Sequence, residues 1–154
     1  MSAPVRSDPP VDPRGVRFAA LLTTVVLTVV LVTGSGQLLA VQALVFALGA
    51  FAGLRFAPYP VAYRALVAPR LRPSTEREEA APVRFSQLVG LVLAVLGTLG
   101  YLTGRTVLGV VATAFALAVA FLNAAFGFCL GCELSAVIGP SRDRHRRNEQ
   151  GATA

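Results

Sequence analysis

Cys129 and Cys132 are the only two cysteines in this 154-residue chain, and they stand three positions apart. They fall in Phe128-Cys129-Leu130-Gly131-Cys132-Glu133, where a long apolar run gives way to polar sequence. On a helix this spacing puts both sulfurs on one face, with Glu133, four residues after Cys129, facing the same way. Three chemistries suit such a pair. It can cycle between dithiol and disulfide, it can carry sulfane sulfur as a persulfide, or it can supply half of a metal site. Zinc and iron–sulfur sites want four ligands, so the metal reading needs Glu133 and His145, or a second copy of the chain, to complete the set. The plain alternative is two small apolar packing residues. Redox reactivity meets one objection: a helix C-terminus and a nearby carboxylate both favour the thiol over the reactive thiolate. A helix break at Gly127 or Gly131, or arginines packed over the pair, would remove it. The chain has no HExxH, P-loop, GxGxxG or Ser-His-Asp constellation, and the identity of any cofactor stays open, with a metal at Cys129 and Cys132 among the readings.

The rest of the chain reads as a membrane scaffold for this pair. Hydrophobic residues make up 55% of it and charged residues 14%, against about 25% charged in an ordinary soluble domain. The expected fold is an all-α integral membrane domain over 16–138, with four transmembrane helices as two tandem hairpins. The spans are expected at about 17–34, 37–54, 85–104 and 106–128, flanked by a flexible tail over 1–15 and a charged, disordered tail over 139–154. Asp12 is placed to cap the first helix and Pro13 to occupy its first position. A signal peptide ending near Val41-Gln42-Ala43 is the weaker reading, because the next apolar run follows without a polar mature segment. Tyr59, Tyr63 and Leu66 recur at helical spacing, which predicts a short interfacial helix at about 60–68, ended by Pro69. Residues 70–82 read as a solvated loop.

All fourteen basic residues are arginine, and the formal net charge is +6. Thirteen of them lie before the first run, between Arg55 and Arg84, or after the fourth run; only Arg105 falls in a short turn. That bias places both termini and the central loop on the cytoplasmic side of the cell membrane, together with the cysteine pair. Arginines grouped in short segments between apolar runs suit anionic lipid headgroups, and no nucleic-acid recognition motif accompanies them.

The two hairpins resemble each other. Val16-Arg17-Phe18 is echoed by Val83-Arg84-Phe85, Leu31-Val32-Thr33-Gly34 by Tyr101-Leu102-Thr103-Gly104, and Phe46-Ala47-Leu48 by Phe115-Ala116-Leu117. This pattern predicts parallel repeats about an axis along the membrane normal. Gly49 and Gly53, Gly100 and Gly104, and Gly127 and Gly131 have small-xxx-small spacing, expected to let helices approach closely within the bundle or in a homo-oligomer. Asn123, the one strongly polar residue inside the fourth run, is expected to hydrogen-bond a neighbouring helix and to support the site.

Val11-Asp12-Pro13-Arg14-Gly15, Arg17-Phe18-Ala19-Ala20, Gln42-Ala43-Leu44-Val45-Phe46, Pro69-Arg70-Leu71 and the run from Leu122 to Leu134 carry a resemblance. Together they resemble the bacterial membrane-protein family catalogued as domain of unknown function 4395 (DUF4395), from Val11 to Ile138. The closing Asn-x-x-Phe-Gly-x-Cys-Leu-Gly-Cys-Glu-Leu is the most specific part. Ser135 stands where the family usually has tyrosine, so no role carries over to it. Genes of the family often accompany thioredoxin-like and rhodanese-like sulfurtransferase genes. The resemblance therefore implies thiol or sulfur handling with a soluble partner of that kind. A non-catalytic membrane anchor or assembly factor and a small transporter of a sulfur compound are the other two classes open to the chain.

Overall fold

The computed structural model describes residues 11–73, 75 and 80–126. They form helices, with no strand among the described residues. Helix α1 covers Pro13–Thr33. Helix α2 covers Gly36–Ala47 and runs on into a wider π turn over Leu48–Ala52. Helix α3 covers Pro58–Ala62, followed by a π turn over Tyr63–Val67 and a 3-10 turn over Ala68–Arg70. Helices α4 (Ala80–Leu102) and α5 (Thr106–Phe126) make the second hairpin.

The helix ends follow from local chemistry. Asp12 sits in an extended conformation and its Oδ1 accepts from the Arg14 backbone N–H at 2.9 Å, while Pro13 opens α1 where its missing N–H costs nothing. Gly34 ends α1 in the left-handed region (φ 65°), with its N–H bonded to the Val30 carbonyl at 2.7 Å. Ser35 at once caps α2, its Oγ accepting from the Leu38 N–H at 3.2 Å. Gly104, at φ 77°, turns the chain between α4 and α5 in the same way.

Pro13–Thr33, Pro82–Leu102 and Thr106–Phe126 are each 21 residues long and apolar enough to cross a membrane. At 1.5 Å per residue each reaches about 31 Å, close to the thickness of a bilayer core. The outer surface agrees: Val32, Val41, Leu44, Phe51, Leu99, Val107 and Phe115 are exposed, while Leu27, Val30, Leu39 and Ala94 have no exposed surface. A protein that turns large apolar side chains outward on this scale is built for lipid. These are features of a membrane protein. The second of the four expected spans is shorter than the others. Gly36–Ala52 has 17 residues, about 25 Å of helix, and Gly53 then departs to φ 97° and ψ 155°.

Helix α1 packs along α5, α2 along α4, and α4 along α5, whereas α1 and α2 make far less contact with each other. The sequence explains the difference. Aligning the hairpins on Gly34 and Gly104 sets equivalent positions 70 residues apart. Gly97, Gly100, Gly109 and Thr113 of the second hairpin then correspond to Leu27, Val30, Leu39 and Ala43 of the first. A Cβ on Gly100 would lie 2.5 Å from the Gly109 backbone nitrogen, so α4 and α5 touch backbone to backbone. The first hairpin has bulk at three of these places, Leu27, Val30 and Leu39, all of it buried in the core, while Ala43 is smaller than Thr113. Leu39 fills the notch at Gly97, where a Cβ would meet its Cδ2 at 2.7 Å. One hairpin is sealed by glycine, the other wedged open by leucine and valine.

This register corrects two sequence expectations. Phe46 and Phe115 are not equivalent: Phe46 is 7% exposed and Phe115 is 65% exposed, because position 116, an alanine, occupies the inward site. Nor do the two described glycine pairs, Gly49 with Gly53 and Gly100 with Gly104, pack as pairs. Gly49 meets the Gln87 side chain, but Gly53 and Gly104 have positive φ and open space around them, so they serve the backbone bend. Gly127 and Gly131 lie outside the described residues.

Candidate functional site

Because α1 and α2 diverge, the end of the bundle where α1 and α4 begin and α5 ends contains a cavity of about 530 Å³. Its walls are apolar, from Val16, Ala20, Phe46, Val83, Leu93 and Ala120 among others. The floor is at Thr23 and Ala116, about 16 Å from the two interhelical turns by helical rise. A tier above, about 25 Å from the turns, lie Gln87 of α4 and Asn123 of α5. Asp12, Arg55, Tyr63 and Arg64 line the outermost level. Polarity thus rises from floor to mouth.

Helix α3 lies across the space between α1 and α2. Tyr59 and Tyr63, four residues apart, use one helical face to reach both. The Tyr59 hydroxyl donates to Oε1 of Gln42 in α2 at 2.7 Å, and Gln42 is only 1% exposed. Tyr63 packs its ring on the open face of Gly15 in α1, where a Cβ would lie 3.1 Å from Cδ1, and sits 5.7 Å from the Phe18 ring. Its hydroxyl donates to the other Asp12 carboxylate oxygen at 3.3 Å. Asp12 therefore both caps α1 and anchors α3. Arg64 closes the segment on itself by donating to the Arg55 carbonyl at 2.7 Å. Below it, Arg84 donates from Nε and Nη2 to the Ala50 carbonyl at 3.0 and 2.7 Å, tying the start of α4 to the π turn of α2. Leu66, expected on the same face as the tyrosines, is 65% exposed, because the π turn beginning at Tyr63 rotates it outward.

Burial pushes both Tyr59 and Tyr63 above the ordinary tyrosine range; at Tyr63 the Asp12 charge adds to this, and at Tyr59 the Gln42 bond works against it. A phenol whose folded pKa is raised keeps its proton more tightly than the unfolded chain does. Stability is therefore unaffected below about pH 10 and falls as pH rises through the window between the unfolded and folded values. Phenolate absorbance is expected to show Tyr59 and Tyr63 ionising later than a free tyrosine, and Tyr63→Phe to remove part of the alkaline loss of stability. Ordinary titration of all the phenols would contradict the docked geometry.

Of the residues singled out from the sequence, Asn123 lines this cavity, and no hydrogen bond from it to a neighbouring helix is found among the described residues. Cys129, Cys132, Glu133 and His145 lie outside the described residues. Within them, no group of three or more His, Cys, Asp or Glu side chains comes together to hold a metal. Sequence reasoning passed over Tyr63, Arg55, Arg64 and Gln87 as a site. Gln87, a lone amide in the early turns of an apolar helix, was the available signal.

The family described as domain of unknown function (DUF4395) matches residues 11–138. No curated protein and no solved structure matches the chain significantly.

Proposed function

This chain belongs to the DUF4395 family, and we propose that it is a membrane-embedded thiol- or sulfur-handling component working with a soluble thioredoxin-like or sulfurtransferase partner. Cys129 and Cys132 are its working pair, oriented to the cytoplasmic side of the cell membrane with both termini. One observation carries the reading. The end of α5 that leads directly to the cysteines is also the end where its Asn123 borders a cavity with a polar mouth. The only thiols of the chain thus follow on, in sequence, from a part of the bundle that is hollow and polar at its rim. The arginine distribution supports the orientation.

The pair is tested by Cys129→Ser in a strain lacking the native gene. Loss of complementation with normal membrane levels of the variant is the expected result. Full complementation would leave only a docking or anchoring role. On intact cells a membrane-impermeant maleimide is expected to leave both cysteines unlabelled until the membrane is opened. Labelling from outside would reverse the topology.

A further inference from the structure

We infer that the cavity is a binding site for an anionic amphiphile drawn from the membrane, with its chain among the apolar walls and its charged head at Arg55 and Arg64. The inference concerns the cavity and is independent of the chemistry assigned to the cysteines.

Three observations converge on this ligand class. The first is the shape of the polarity: apolar walls lead down from a mouth that carries the only formal charges lining the space among the described residues. A small polar solute would leave most of this wall uncompensated, whereas an acyl-like body matches it. The second is the charge at the mouth, two arginines against one carboxylate. That carboxylate is already engaged, by the Arg14 N–H and by the Tyr63 hydroxyl. Arg64 spends one N–H group on the Arg55 carbonyl and keeps other donors. The Arg55 guanidinium has no hydrogen-bond partner among the described residues. Both arginines are exposed, so an arriving head need not displace a buried ion pair. Forked guanidinium donors suit carboxylate or phosphate oxygens equally.

The third observation is a set of polar groups facing the interior without partners. Thr23 is 6% exposed and lines the floor, yet its hydroxyl lacks the bond to the preceding turn that Thr24, Thr28 and Thr113 make in their helices. The Gln87 amide, partly buried along the same wall, likewise has no hydrogen-bond partner among the described residues. Buried polar side chains are normally satisfied, and groups left open toward a cavity mark where a ligand or water completes them. Access from the bilayer fits the architecture, because the wedge of Leu27, Val30 and Leu39 keeps α1 and α2 apart and, among the described residues, α3 is what bridges them at this end.

The test uses the full chain in non-ionic detergent with three photoactivatable probes of matched chain length: a diazirine fatty acid, the corresponding alcohol, and a phosphatidylglycerol carrying the same chain. Adducts are mapped by peptide mass spectrometry. The anionic probes are expected to label segments around Ala20, Gly90 and Ala120, and the alcohol to label them at least tenfold less. Labelling by the fatty acid alone identifies a free carboxylate as the ligand, and labelling by phosphatidylglycerol identifies a lipid headgroup; either supports the site. Arg55→Gln with Arg64→Gln is expected to weaken anionic labelling about tenfold, in line with two partly exposed charge contacts. Arg64→Lys, which keeps the charge, should retain most of it. Ala120→Phe should abolish it by filling the space. Equal labelling by the alcohol, indifference to the arginine variants in correctly folded protein, or adducts confined to the outer helix faces would overturn the inference.

Discussion

Replacing Gly100 with alanine is expected to cost about 3 kcal/mol of bundle stability, the upper part of the usual range for overpacking a close contact. The new methyl would sit 2.5 Å from the Gly109 nitrogen and 2.9 Å from its Cα. Neither atom belongs to a side chain that can rotate away, so relief requires α4 and α5 to separate along their length. Separation in turn loosens Tyr101, whose ring lies over Gly109. Gly34→Ala is the proper comparison. It places a residue at φ 65° with nothing within 4 Å of the added carbon, so it incurs backbone strain alone, about 1 to 2 kcal/mol. Thermal unfolding of both variants in the same micelle measures the difference. If Gly100→Ala proves no worse than Gly34→Ala, the two helices are not in backbone contact.

The second large effect is local. Tyr63→Ala is expected to release α3 from α1 with a loss of about 3 kcal/mol, as for other buried aromatic truncations. The change removes the ring from Gly15 and Phe18 and the hydroxyl from Asp12 at one stroke. Because α3 packs on the bundle from outside, the midpoint of global unfolding should move little. Hydrogen exchange at the amides of α3 should instead quicken by about a hundredfold, which is what a 3 kcal/mol change in local opening gives. Tyr63→Phe, keeping the ring, should show about a tenth of that acceleration or less, the worth of one hydrogen bond. Unchanged protection in Tyr63→Ala would mean that α3 is held by something other than its tyrosines.

Much of the scaffold was legible because its signals are local. The Asp12-Pro13 entry, the Thr-Gly turns closing α1 and α4, and the length of three apolar runs each depend on a few neighbouring residues, and each is where the sequence placed it. The short helix near Tyr59 and Tyr63 was legible for the same reason. Its details were not: the π turn at Tyr63 changes the residue-to-face relation that placed Leu66 beside the tyrosines. The second apolar helix, expected at about 37–54, runs over Gly36–Ala52; what the sequence did not announce is its closing π turn, where Gly49 meets Gln87 and the Ala50 carbonyl accepts from Arg84 of α4. The cavity was invisible for a different reason. It exists because Leu27, Val30 and Leu39 of one hairpin are large where their counterparts Gly97, Gly100 and Gly109 are glycine, and that comparison needs the correct register. The Phe-Ala-Leu echo is out by one residue, which turns an inward phenylalanine into an outward one.

The unequal hairpins also bear on how the protein is made. Synthesis delivers α1 and α2 first, and they carry Leu27, Val30 and Leu39 on surfaces that find their fit only in the later half of the chain. The glycine-lined second hairpin can close on itself as soon as both its helices are inserted, because its contact is internal. The first pair has no such option, and lipid offers its apolar side chains no reason to prefer each other. The later-made hairpin is thus the template on which the earlier one assembles. A truncation after α2 should therefore insert but leave α1 and α2 loosely associated.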